Sequence, residues 1–321
     1  VPAVEETSPA CWSQPGGTAH NRSWHHRLLR QENDDYNGTN CDGDHFSQVL
    51  VTLLICLCGL VGNGAVLWFL GSHVRRNSIT TYVFNLAVAD FTFLLSTAVA
   101  LMIFYGPESL CHRLGSRHVT TVLNITILFA FTASVCLLTA FSATTSLSFL
   151  APSCCPCHHS WGFPGLLCAL LWALSFLLTL TLYLCPAALI TFVPSYLLSL
   201  LILTLSGLTL LARVLCPSWH HPPRMLSVVV LLSAFFFPFL TADFGYWLLL
   251  RLIDFSVFAF NTSLLLACMN STINPLIYFL VGCCGKNFTL SVGVAFQRAL
   301  ENVTEPPNGG KSTTENTAET P

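Results

Sequence analysis

The feature that most limits what this chain can fold into is a series of apolar stretches, each long enough to cross a lipid bilayer. A spanning helix needs about 20 mainly apolar residues, because the hydrocarbon core offers no water to satisfy backbone groups. Only 9% of the residues are charged, against about a quarter in soluble domains. The pattern predicts seven spans, at Phe46–Leu70, Ile79–Tyr105, His118–Leu150, Trp161–Leu184, Ala187–Ala212, Met225–Leu250 and Leu252–Val281.

The fourth and fifth spans come from one charge-free run, 161–212, which is too long for a single crossing. Proline removes a backbone donor and disfavours helix in the residue before it, so Cys185-Pro186 and then Pro194 are expected to supply the break. A re-entrant segment at this point would reverse the topology downstream.

The distribution of basic residues predicts a multi-pass plasma-membrane protein with its N-terminus outside the cell. The sequons at Asn21 and Asn37 agree with that orientation, because glycans are added only on the lumenal side, and both are predicted glycosylation sites. The side predicted to be cytoplasmic holds Arg75, Arg76, Arg213, Arg224, Lys286, Arg298 and Lys311, and the outer loops hold Arg113, Arg117 and Arg251.

Four segments follow from this topology: an extracellular arm at 1–45, the bundle at 46–282, an amphipathic cytoplasmic helix at 283–300 and a disordered tail at 301–321. Phe288, Val292, Phe296 and Leu300 recur at helical spacing, which is typical of a helix lying along the bilayer surface. Membrane lipid is therefore an expected partner. The predicted fold class is all-α, a seven-transmembrane bundle with a short amphipathic helix.

Polar side chains inside the predicted spans are the best pointers to function, because each is costly in lipid unless it is satisfied. Asp90 is the single charge of the second span. Two interpretations stand on the residues alone: an ionised carboxylate that binds Na⁺ through surrounding oxygens, or a protonated Asp90 within a packed polar cluster. The proposed centre comprises Asp90, Ser134, Asn270, Ser271 and Asn274, with Asn63 midway along the first span.

Two prolines lie inside predicted spans, Pro238 in the sixth and Pro275 in the seventh. A proline within a helix frees the carbonyl one turn back and kinks the helix. Two kinked helices beside a polar centre indicate a conformational switch, although a kink of this kind can also be static.

At these residues the chain resembles rhodopsin-like G-protein-coupled receptors, and among them the Mas-related receptors. The resemblance implies an extracellular peptide or small-amine ligand, coupling to heterotrimeric G proteins and arrestin, the sodium interpretation of Asp90, and a switch formed by Asn63, Phe236, Pro238, Pro275 and Tyr278. The strings that carry it are Gly62–Leu70, Arg75–Asn77, Asn85–Asp90, Cys168–Ser175, Asn270–Phe279 and Phe296–Leu300.

One departure from the family falls on the face expected to meet the G protein, which also includes Arg75 and Arg76. Where Mas-related receptors have a Glu-Arg-Cys motif, this chain reads Thr144-Thr145-Ser146. A threonine has no charge and cannot form the bonds of a guanidinium. An alternative function is therefore a seven-helix binding or decoy receptor with little or no coupling to G proteins.

The resemblance also implies a ligand cup at the outer ends of the helices, where an acidic residue is suited to a cationic ligand. Pairing of Asp243 or Asp254 with Arg251 is an equally good interpretation. A disulfide between Cys111 and Cys185 suits the oxidising exterior, and Cys11 with Cys41 is the alternative pairing. The residues expected to line the cup are Asp243, Tyr246, Trp247, Asp254, Tyr105 and Tyr196.

Other classes of protein are disfavoured. A net charge of −2 gives no sign of a nucleic-acid partner, there is no inverted repeat typical of a transporter, and the spans contain no paired catalytic groups, so no enzymatic activity is expected. Five residues of the second inner loop, Cys154, Cys155, Cys157, His158 and His159, lack the second ligand pair of a zinc site. Sodium is the one metal ion that the sequence suggests.

Overall fold

The computed structural model describes residues 47–72, 78–105, 117–150, 163–185, 187, 189–215, 225–251, 262–283 and 291–301. Within these ranges the regular structure is helical. The residues from Val49 onward form one compact unit; of the other unit, Val1–Gln48, only the first two residues of the first helix are described. The helices are α1 Ser47–Ser72, α2 Ser78–Tyr105, α3 Arg117–Leu150, α4 Phe163–Leu184, α5 Leu189–Leu215, α6 Met225–Arg251, α7 Thr262–Cys283 and α8 Val292–Glu301.

Helices α1 to α5 and α7 each contain a segment long and apolar enough to cross a membrane, and the described core of α6, Ser227–Thr241, is also apolar. The predicted all-α membrane bundle is therefore confirmed. Its centre is formed by α2 and α3, whose spans are 67% and 56% buried, whereas those of α4 and α5 are 22% buried. Large apolar side chains such as Leu170 of α4 and Leu201 of α5 are exposed, as expected of helices that face lipid.

The break between the fourth and fifth helices is confirmed at Cys185, which lies outside both. Its backbone N–H donates to the carbonyl of Thr181 at 2.9 Å and so closes the last turn of α4. The expected contribution of Pro194 to the break was wrong, because Pro194 lies inside α5. A proline removes only one intrahelical bond, and the helix continues past it.

One predicted boundary differs from the structure, and another lies outside the described residues. Helix α7 begins at Thr262, and residues 252–261, assigned to the seventh span by hydropathy, lie outside the described residues. The amphipathic helix was predicted to run through Ser291, but that residue is not helical and α8 begins at Val292. The carbonyl of Ser291 accepts the backbone N–H of Ala295 at 2.9 Å, as expected of a residue that caps a helix N-terminus.

Helix α8 is held against the ends of α1 and α7 by close packing. Phe296 contacts Phe69 with ring centroids 6.1 Å apart, and Leu300 is buried, whereas Val292 is 47% exposed. A Cβ atom added at Gly282 of α7 would overlap the backbone carbonyl of Ala295. Glycine is therefore the residue that permits this backbone contact.

Candidate functional site

The centre of the bundle contains a carboxylate surrounded by hydrogen-bond donors from two other helices. Asp90 of α2 is 0% exposed. Its Oδ1 accepts the hydroxyl of Ser134 on α3 at 2.7 Å and that of Ser271 on α7 at 3.0 Å. Its Oδ2 accepts the side-chain amide of Asn274, also on α7, at 2.9 Å. These bonds connect α2, α3 and α7 at a single side chain.

The donors belong to this site because of helix geometry and burial. Ser271 and Asn274 are three residues apart, so they lie on the same face of α7. A carboxylate taken out of water is strongly destabilised unless hydrogen bonds and charge compensate for the lost hydration. Three donors provide part of that compensation. Each serine hydroxyl gives its one proton to Asp90 and retains oxygen lone pairs that are able to coordinate a cation.

Asn63 of α1 satisfies a backbone group that Pro275 leaves without its helical partner. Proline has no N–H, so the carbonyl of Ser271, four residues earlier, cannot form the usual helical bond. The side-chain amide of Asn63 donates to that carbonyl at 3.1 Å and to the carbonyl of Gly59 at 2.9 Å. The carbonyl freed by Pro275 and the polar centre therefore meet at Ser271.

Helices α1 and α7 lie unusually close together, and two glycines make this possible. A Cβ added at Gly59 would be 2.6 Å from Leu94 Cδ1 and closer still to the hydroxyl of Thr272, and one at Gly62 would be 2.9 Å from Pro275 Cγ. The hydroxyl of Thr272 shares its proton between the carbonyl of Cys268 at 2.8 Å and that of Ile55 on α1 at 3.2 Å. Small residues allow this approach between membrane helices.

The other residues predicted for the polar centre and the switch differ in their burial and contacts. Asn270 is buried beside Ser271 but is not among the described donors to Asp90. Tyr278 is buried one turn beyond Asn274. On α6, Phe236 is 36% exposed and contacts Phe235 edge-on, whereas Phe237, directly before Pro238, is 1% exposed. The switch role of Phe236 stays a prediction.

Near the N-terminal end of α5, Tyr196, which was predicted to line the cup, is buried. Its hydroxyl donates to the backbone carbonyl of Thr241 on α6 at 3.0 Å, and its ring lies 6.3 Å from that of Phe131 on α3. Tyr105 is exposed at the end of α2. The side chains of Asp243, Tyr246 and Trp247, and the whole of Asp254, lie outside the described residues.

At the C-terminal end of α3, the hydroxyls of Thr144 and Thr145 each donate to the carbonyl of Phe141 in their own helix, at 3.1 Å and 2.7 Å. Ser146 differs, because its hydroxyl lies 2.9 Å from the carbonyl of Ser142 and 3.2 Å from that of Ser206 on α5. Arg75 and Arg76, the other residues of the expected G-protein face, lie outside the described residues.

The predicted modification sites fall mainly on residues that the structure leaves undescribed. Asn21, Asn37 and Cys111 belong to that group. Cys185 is exposed and forms no disulfide with another described cysteine. Glycosylation and the pairing of Cys111 with Cys185 therefore stay predictions.

Several contacts between helices involve residues that the sequence did not single out. The hydroxyl of Thr272 is one, and the indole N–H of Trp172 on α4, which donates to Asn85 Oδ1 on α2 at 3.0 Å, is another. The signal for the second contact was available, since a tryptophan and an asparagine inside apolar spans each need a polar partner. The signal for Thr272 was weaker, because a threonine in a helix is normally satisfied by its own backbone.

Comparisons with known proteins agree with this architecture, although no protein-family model matches the chain. The chain is 33% identical to Mas-related G-protein coupled receptor member B5 of Mus musculus, covering 85% of this chain and 91% of that receptor. It is 35% identical to member D of Macaca fascicularis, over 82% and 88%, and 31% identical to member X2 of Gorilla gorilla gorilla, over 86% and 91%. The similarity thus extends across the bundle and is not confined to one motif.

Proposed function

The chain belongs to the Mas-related G-protein-coupled receptors, and we propose that it responds to an extracellular peptide or small amine through movement of α6 and α7 about Pro238 and Pro275. Its general function follows from the family: it is a multi-pass plasma-membrane receptor that binds a ligand, signals through G proteins and is not an enzyme. The ligand class, recruitment of arrestin, contact with specific lipids and an extracellular N-terminus belong to the proposal.

The observation that carries the proposal is the connection of three helices at Asp90. Its carboxylate accepts hydrogen bonds from α3 and α7, and Asn63 joins α1 to the carbonyl freed by Pro275. A movement of α7 about its proline must rearrange these bonds, because Ser271 takes part in both groups. Ligands that favour one arrangement over the other shift the population of the two states.

We further propose that Na⁺ binds at Asp90 in the resting receptor. The donor set suits a hard monovalent cation, since it offers one carboxylate and the hydroxyl oxygens of Ser134 and Ser271. Both hydroxyls already lie within 3.0 Å of Asp90 Oδ1, so little reorganisation is required to present their lone pairs. The ion would supply positive charge to a buried carboxylate and would stabilise the resting arrangement of α2, α3 and α7.

The binding-only alternative, based on Thr144-Thr145-Ser146, is not favoured. Relatives that are G-protein-coupled receptors match between 82% and 86% of the chain, and the polar centre is intact. The neutral inner end of α3 instead indicates that the G protein is engaged without the usual arginine, through contacts of another kind.

The test is to express the full chain in cells, to screen basic peptides and small amines, and to record calcium, cAMP and arrestin recruitment. A response in the G-protein assays that disappears in Asp90→Ala supports the proposal. Saturable ligand binding without any response, with a response created by Thr145→Arg, would instead establish the binding-only function.

The sodium proposal is tested separately, on ligand binding to membranes in sodium or choline chloride at equal ionic strength. Wild-type binding should depend on sodium, and Asp90→Asn should remove that dependence, because an amide cannot supply the anionic ligand. The control is Ser96→Ala, which lies on the same helix and removes a hydroxyl bonded to the carbonyl of Thr92 at 2.8 Å. Equal sodium dependence in wild type and Asp90→Asn would refute the site.

A further inference from the structure

The hydroxyl of Ser146, in the Thr144-Thr145-Ser146 segment, bonds a backbone carbonyl of another helix. Its single proton is shared between Ser142 of α3 and Ser206 of α5, at 2.9 Å and 3.2 Å from the two carbonyl oxygens. Both Ser146 and Ser206 are buried. Their contact is therefore shielded from water and couples the inner ends of α3 and α5.

Helix α5 has few polar contacts of this kind, which makes each one informative. Its span is 22% buried, and most of its hydroxyls bond their own helix, as Ser199 and Thr204 do. The described cross-helix bonds occur at Tyr196, to α6, and at Ser206, to α3. These positions are ten residues apart, or about 15 Å along the helix, so one holds the outer half of α5 and the other holds the inner half.

The position next to Ser206 shows that α6 also approaches at this depth. A Cβ added at Gly207 would lie 3.9 Å from the Cβ of Ala234 on α6. The inner half of α5 thus packs between α3 and α6, and any outward movement of α5 and α6 away from α3 must break the contact between Ser146 and Ser206.

We propose that Ser146 is a positioning residue that holds α5 against α3 in the resting receptor, in the segment where the family's arginine is missing. The two acceptors make the contact easy to release. When α5 moves away, the hydroxyl keeps its bond to Ser142, so no buried donor is left unsatisfied. The contact therefore biases the equilibrium toward the closed bundle without blocking opening.

The expected size of this bias is modest. Hydrogen bonds between membrane helices contribute about 0.6 kcal/mol on average, which corresponds to about a threefold change in an equilibrium constant. Ser146→Ala should therefore raise ligand-free G-protein activation, per receptor at the cell surface, by about threefold. Ser148→Ala is the matched control, because its exposed hydroxyl donates to Thr144 of the same helix at 2.8 Å.

The signalling measurement rests on the proposed function, so a second measurement is made without any G protein. Spin-label amino acids are encoded at the exposed Leu150 of α3 and Leu215 of α5, and their separation is measured by pulsed electron paramagnetic resonance in lipid nanodiscs. Ser146→Ala should move part of the distance distribution to longer values. Ser146→Thr, which keeps a hydroxyl, and Ser148→Ala should both match wild type.

Ser146→Cys guards against a folding defect, since it preserves size and replaces the hydroxyl with a weaker donor; it should shift the distribution in the same direction by less. Distances in Ser146→Ala and Ser146→Cys that equal wild type would overturn the proposal, as would an equal shift in Ser148→Ala. A distance shift without basal signalling in any variant would support the contact between Ser146 and Ser206. The same result would count against the proposed coupling of the receptor to G proteins.

Discussion

The close approach of α1 and α7 leads to a prediction that two neighbouring glycines respond in opposite ways to the same substitution. In Gly62→Ala the new Cβ would lie 2.9 Å from Cγ and 3.3 Å from Cβ of Pro275. The proline ring cannot rotate away as a flexible side chain would, so the helices must separate. In Gly64→Ala the new Cβ would lie 3.8 Å from Phe91 Cε2, an ordinary van der Waals distance.

The magnitude follows from comparing the two variants. Overpacking a well-packed site costs about 1–3 kcal/mol, whereas replacing a helical glycine with alanine gains up to about 1 kcal/mol. Both variants share the second effect, so it cancels in their difference. Gly62→Ala should therefore be less stable than Gly64→Ala by about 1–3 kcal/mol, with an added strain on the bond from Asn63 to the carbonyl of Ser271.

Thermal unfolding of the purified receptor, followed with a thiol-reactive dye, measures this difference. Cys56 and Cys268 are both buried on the helices in question and become reactive as the bundle opens. The midpoint of Gly62→Ala should lie roughly 3–10 °C below that of Gly64→Ala. Equal midpoints, or a lower midpoint for Gly64→Ala, would show that α1 and α7 are not packed as closely as described.

Two further predictions concern other contacts between helices. Gly282→Ala should detach α8 from α7, because its Cβ would overlap the carbonyl of Ala295. Proteolysis within α8, Val292–Glu301, should then become faster. Gly71→Ala, which has open space around it, should leave the digestion pattern unchanged. Tyr196→Phe removes the bond to the Thr241 carbonyl and should lower the free energy of unfolding by about 0.6–1.7 kcal/mol, measured by the same thermal assay; a midpoint identical to wild type would refute a stabilising role for that hydroxyl.

The spans were predictable because lipid imposes a simple requirement on length and polarity. The second and third predicted spans begin at Ile79 and His118, each one residue from the start of α2 and α3. The predicted ends of the spans are wrong where a helix continues past the first charged residue. The fifth span was ended at Ala212 because Arg213 is charged, yet α5 continues to Leu215. Arginine has a high helix propensity, so a charge that ends an apolar stretch does not end the helix.

The sequence predicted which residues lie near Asp90, but it did not predict the hydrogen bonds that they form. An aspartate in a spanning helix must find donors, and three of its four suggested neighbours are donors to Asp90 in the structure. The fourth, Asn270, occupies the same helix one residue before Ser271. Hydropathy and spacing assign residues to a depth and a face, whereas the direction of each amide depends on which neighbouring helix is within reach.

Hydroxyl contacts explain why the remaining connections were missed and why one of them could have been found. A serine or threonine in a helix can bond the carbonyl four residues earlier, as Thr132 does, so nothing in the sequence distinguishes Ser146 or Thr272 from it. A proline is different. Because Pro275 has no backbone N–H, its position shows that the carbonyl of residue 271 lacks its helical partner. In a bilayer that carbonyl requires a buried donor at the same depth, and Asn63, an amide placed midway along α1, meets that requirement. Prolines and buried amides, taken as pairs, therefore carry contact information that hydroxyls do not.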